Sequence, residues 1–157
     1  MRQSKMKWIM KLAGVTALLA LAGCSSDSYA ALPDATPSPP PATRLIGTRW
    51  VVDTVYIGQT VTRPPAGASA HLTFDGQGSV NGSVGCNALG GRAAVTDHTI
   101  VFSQIITTMM ACGGERDRLE RAVLAVVESP RVEYVLAGEH LTLTTAGNAL
   151  RLHKSVS

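Results

Sequence analysis

The chain lacks a run of about 20 apolar residues, the length a helix needs to cross a bilayer. Its apolar stretch Leu12–Leu21 is too short for that. Beyond residue 23 it has no G-x-S-x-G elbow, no H-E-x-x-H helix and no P-loop. An S-x-x-K match does occur, at Ser4–Lys7, but it lies in a leader-like N-terminus and carries no chemistry. Cysteine is scarce, with three in the chain, Cys24, Cys86 and Cys112, and no C-x-x-C pair. The four histidines, His71, His98, His140 and His153, show no paired spacing of the kind that marks a zinc site. These absences leave no catalytic constellation, no metal set and no cofactor motif legible in the sequence.

What is present begins with an address. Arg2, Lys5, Lys7 and Lys11 form a positive n-region, Leu12–Leu21 an h-region, and Leu21-Ala22-Gly23-Cys24 follows. Small residues before a cysteine look like the lipobox of bacterial lipoproteins, so residues 1–23 read as a signal peptide and Cys24 as the lipidated residue. No twin-arginine pair is present, which points to the general secretion route. The expected location is the extracytoplasmic face of the cell membrane, held by the lipid. Of the 14 basic residues, four lie in the signal, leaving 10 against 11 acidic ones. The mature chain is therefore nearly neutral and has no basic tract, which argues against nucleic acid as a partner.

Residues 24–43 are rich in Pro, Ser, Ala and Thr and show neither strand nor helix periodicity. Such a segment buries too little apolar surface to offset its ordering entropy. Its prolines favour extended polyproline II, a semi-rigid tether about 50 Å long. One folded domain remains, over residues 44–157.

Within it, Thr48–Ile57, Ala70–Phe74, Ser79–Val84, Thr99–Ile105, Val132–Leu136, His140–Thr145 and Ala149–His153 read as strands. FDGQGSV is a hairpin signal, because Asp75-Gly76 and Gly78 supply the backbone freedom of a tight turn. Asn81-Gly82 inside the return strand predicts a bulge or bend. Between Glu115 and Glu128 the period changes: Leu119, Ala122, Val123, Val126 and Val127 form one helical stripe. Arg116, Asp117, Glu120 and Arg121 fall on the expected wet face, and Ser129-Pro130 ends the helix. The fold class is α+β and mostly antiparallel β: a curled sheet or partial barrel with one packed α-helix.

The same residues resemble the META domain of small secreted proteins and bacterial lipoproteins. The resemblance rests on four patterns in order: LIGTRW (Leu45–Trp50), LTFDGQGSVNGSVGCN (Leu72–Asn87), TMMAC (Thr108–Cys112) and VEYVLAGEHLTL (Val132–Leu143). Small Ala93 stands where the family usually carries an aromatic. The resemblance implies a partial barrel with a helix and a disulfide between Cys86 and Cys112. It also implies a loose tie to envelope stress responses, and a likeness to secretin pilot lipoproteins that hold lipid or peptide in a groove. It implies no reaction.

The residues support that bridge from another side. Once Cys24 is lipidated, two cysteines remain in an oxidising compartment, an even number that favours a disulfide. A redox dithiol, a zinc site and a cysteine nucleophile are the alternatives; the spacing suggests none of them. Asp53, in an apolar strand, reads as a hydrogen-bonded edge residue, or as a site residue if it meets His71 or His140. Met109 and Met110 read either as core fillers or as the lining of an adaptable groove. The resulting expectation is a non-enzymatic, monomeric envelope lipoprotein that binds a partner protein or envelope component. The alternative is a carrier of a small apolar ligand or lipid in the barrel mouth.

Overall fold

The computed structural model describes residues 40–155; the signal peptide, Cys24 and most of the tether lie outside them. Period-two burial builds its strands. In Ala70–Phe74 the side chains of Ala70, Leu72 and Phe74 are buried while His71 and Thr73 face outward. The strands are β1 (Arg49–Ile57), β2 (Thr60–Thr62), β3 (Ala70–Phe74), β4 (Ser79–Val84), β5 (Ala88–Val95), β6 (Thr99–Thr107), β7 (Val132–Ala137), β8 (His140–Thr144) and β9 (Asn148–Lys154). Two helices, α1 (Pro41–Leu45) and α2 (Gly114–Val127), complete the described residues. Regular structure thus begins inside the last residues of the segment read as tether.

Neighbours in the sheet run β2-β1-β3-β4-β5-β6-β7-β8-β9, and β1 also pairs with β9. That last ladder closes β1 and β3–β9 into an eight-stranded antiparallel barrel, where the sequence suggested a partial one. Closure removes the two exposed edges an open sheet would carry. The thinnest seam is β6–β7, with two register pairs, Thr99↔Glu133 and Ile100↔Val132. Tyr134 reinforces it: its amide donates to His98 O (2.9 Å) and its hydroxyl to Thr96 O (2.8 Å).

The antiparallel order defines two mouths. β1, β4, β6 and β8 start at the first and end at the second. α1 lies at the first mouth, where Leu45 is fully buried and Trp50 Nε1 donates to Leu45 O (3.1 Å). α2 packs toward the second, against β1, β9, β4 and β2. Its stripe Leu119, Ala122, Val123, Val126 and Val127 is buried as expected, and it joins the inward residues of the strands in one apolar core.

The placement of the bulges differs from the sequence reading. No register shift occurs at Asn81-Gly82: Gly82 pairs with Leu72 on one side and Leu89 on the other. The glycine is needed for space, since a Cβ there would collide with the carbonyl oxygen of His71. The bulges lie elsewhere, at Val52/Thr54 in β1–β9 and at Gly90/Arg92 in β5–β6. Opposite the second, Gln104 adopts a positive φ of 52°.

The β3–β4 hairpin forms as expected. Asp75 Oδ1 accepts from the amides of Gln77 (2.9 Å) and Ser79 (2.7 Å). The Ser79 amide is the main cause holding this carboxyl below its ordinary value of 3.8. A depressed folded pKa stabilises fully above the unfolded value, and the gain is lost as pH falls through the folded one. The stability advantage of the wild type over Asp75→Asn should therefore be constant above about pH 5 and vanish in stronger acid. Urea unfolding from pH 2 to 6 tests this; a gap unchanged by acid would refute it.

Candidate functional site

The corner between β4 and β5 presses onto α2. Gly85 has φ +108°, and a Cβ there would stand 2.5 Å from Leu119 Cδ2, so glycine is required twice over. The next residue, Cys86, has its Cα 6.2 Å from that of Cys112, at disulfide distance. Asn87 follows, buried to 4 % exposure.

Asn87 organises the second mouth. Its Oδ1 accepts from Met110 N (2.7 Å) and Thr108 Oγ1 (2.8 Å). Its Nδ2 donates to Met110 O (3.2 Å) and to both carboxylate oxygens of Glu120 (3.0 and 2.9 Å). The amide thus treats Met110 as a neighbouring strand would, satisfying both backbone groups of a residue with no strand beside it. Thr108 Oγ1 in turn accepts from Ala88 N (3.1 Å). A buried network with its members satisfied fixes one geometry.

That geometry turns apolar side chains outward. Met109 is 97 % exposed, Ile106 71 % and Met110 59 %. A cleft of about 350 Å³ runs beside them, lined by Asn87, Thr107, Thr108, Met109, Met110, Ala111 and Glu120. Of the two readings of the methionines, core filler is excluded for Met109 by its exposure. Glu120 corrects the wet-face assignment: it is half-buried and bound to Asn87. The signal was available, because Glu120 adjoins Leu119 and lies three residues before Val123, at the edge of the stripe.

The remaining candidates are scattered. Asp53 sits at the β1 bulge rather than on an edge strand, and its Oδ1 lies 2.6 Å from His153 Nδ1. It meets neither His71 nor His140 in a hydrogen bond. His71 Nδ1 accepts from Arg49 Nη2 (3.1 Å); burial, then the Arg49 charge, lowers its pKa below the ordinary 6.5, which favours the neutral ring. Among the described residues no three His, Cys, Asp or Glu side chains gather as a metal site. Cys24 lies outside the described residues.

A closed, antiparallel eight-stranded barrel with one helix across a mouth and a cysteine-pinned corner is the class of domain these features define. The sequence matches the META domain over residues 43–157, and the chain belongs to that family. It is similar to a protein from Burkholderia xenovorans solved by NMR, with 26 % identity and a TM-score of 0.61. The match covers 87 % of this chain and all of that one. A second NMR structure, at 18 % identity and TM-score 0.57, covers 71 % of this chain and 92 % of its own, and shares the fold. No curated protein is matched by the sequence.

Proposed function

We propose that the protein is a monomeric envelope lipoprotein, anchored through Cys24 on the extracytoplasmic face, whose META domain is a non-catalytic docking module for a partner protein. The resemblance suggests envelope stress as its setting. The observation that carries this reading is the Asn87 clamp: buried polar groups are committed to holding Met109 almost wholly in solvent. A flexible, polarisable thioether suits an adaptable protein contact. The position supports it too. The chain comes into the domain at α1, on the first mouth, whereas the methionine corner is on the second, facing away from where the tether attaches. The carrier alternative has weaker support: the inward strand residues pack against one another and the α2 stripe, and the cleft of about 540 Å³ at the first mouth is lined by Arg44, Glu139 and Lys154 as well as Trp50 and Leu136.

The test is a photoreactive side chain placed at Met109 of the full chain in intact cells, with the same group at exposed Glu133 as control. The expected result is a discrete protein adduct from position 109 and none from 133. In the Cys24→Ala variant the protein should leave the membrane fraction and the adduct should weaken. Equal labelling from both positions would sink the docking surface, and unchanged membrane retention would sink the anchor.

A further inference from the structure

The four histidines show no metal-ligand spacing in the sequence, yet the barrel sets two of them side by side. His140 of β8 is the register partner of His153 of β9. Lys154 N donates to Glu139 O (2.8 Å), so Glu139/Lys154 is a hydrogen-bonded pair and its neighbour His140/His153 is a non-hydrogen-bonded one. That is the closer kind, with Cα atoms about 4.5 Å apart and side chains standing together on one face. The face is the outer one, because the flanking pair Leu141/Leu152 is fully buried.

A second, independent feature points to a ligand. The β1 bulge brings Asp53 to His153, with Oδ1 and Nδ1 2.6 Å apart. An ionised carboxylate only accepts, so in the neutral ring the proton sits on Nδ1 and Nε2 has the lone pair a metal needs. A carboxylate behind an imidazole is how metal-binding histidines are oriented and made more basic. A stitch across the bulge accounts for Asp53 and His153 but gives no reason for His140 opposite.

We infer that His140 and His153, the latter oriented by Asp53, form a surface site for a labile divalent transition-metal ion, with copper(II) the strongest binder. Imidazole pairs suit copper, nickel and zinc, and copper leads the affinity order for nitrogen ligands. Two protein ligands leave the other positions to water, so the ion exchanges readily. His71 does not belong to the site: Val51 separates it from His153, and its Nδ1 is occupied by Arg49. The site lies at the first mouth, away from the methionine corner, and does not depend on the docking reading.

Copper(II) chloride titrated into the full chain in detergent micelles, in a non-chelating buffer, tests this. Electron paramagnetic resonance should show one ion per chain with two imidazole nitrogens. His140→Ala and His153→Ala should each weaken binding at least about tenfold, and Asp53→Ala by roughly 10–100-fold with His140 and His153 intact. His71→Ala and His98→Ala should change nothing. All these positions are at least partly exposed, and circular dichroism checks that each variant folds. Absence of a bound ion, or binding indifferent to His140→Ala, overturns the site; an effect of His71→Ala or His98→Ala reassigns the copper and overturns it equally.

Discussion

Gly82→Ala is expected to leave the chain without a stable barrel. Gly82 is in the middle of three paired strands, between Leu72 of β3 and Leu89 of β5. The added Cβ would overlap the His71 carbonyl oxygen and stand 3.0 Å from its carbonyl carbon and 3.2 Å from Leu72 Cα. All of these are backbone atoms, so no side-chain rotation relieves the clash. Overpacking against side chains alone costs about 1–3 kcal/mol. Here the relief must come from parting two strands, which loses ladder hydrogen bonds as well. A cost of more than about 5 kcal/mol would consume most of the stability of an ordinary domain. Gly90→Ala is the control, because the atoms nearest its Cβ are 3.8 Å away. Soluble yield and thermal melts should show a near-native Gly90→Ala and little or no folded Gly82→Ala. A Gly82→Ala protein melting within about 3 °C of wild type would refute the clash.

Most of the barrel was legible because its strands alternate. Seven strands and the main helix follow from side-chain period, and FDGQGSV declared its turn. β5 did not, for a physical reason. Its sequence ALGGRAAV is built of small residues, and their neighbours supply the bulk: a Cβ on Gly91 would meet Ile105 Cδ1 at 2.6 Å. Small Ala93 in the same strand is buried opposite Phe102, whose ring packs 6.1 Å from that of Phe74. A strand that receives side chains rather than contributing them has no hydrophobic pattern to read. β2, three residues long, is too short for one. Closure of β1 on β9 joins segments about 100 residues apart, a pairing that no local period announces.

The candidate sites divide in the same way. Cys86 and Cys112 could be read from composition and compartment, but the clamp at Asn87 could not, because it needs Glu120 from α2 and the backbone of Met110 together. The His140–His153 pair was within reach. A tight turn at Ala146-Gly147, closed by Thr145 N donating to Asn148 O (2.9 Å), fixes the hairpin register by itself. Counting back from that turn puts the two histidines opposite each other.

Removal of the Cys86–Cys112 bridge is the second large effect expected. The cysteines are 26 residues apart, and the loop between them holds β5, β6 and the methionine corner. Closing a loop of that length restricts the unfolded chain by about 3–4 kcal/mol. For a domain of this size the melt of a Cys86→Ser, Cys112→Ser protein should fall by roughly 10–20 °C. The folded state should change far less. Asn87 holds Met110 on both backbone groups and Thr108 on its hydroxyl, while sulfur adds only a 3.7 Å contact from Cys86 Sγ to Met110 O. Amide chemical shifts from Thr107 to Met110 should therefore stay close to wild type in the serine variant and move in Asn87→Ala, even if both variants lose similar stability. That contrast separates the two devices at the corner: the bridge limits where the unfolded chain can go, and Asn87 dictates where the methionines point. A melt indifferent to the loss of both cysteines would remove the first. Unmoved amides in Asn87→Ala would remove the second, and with it the physical basis for a preformed docking surface.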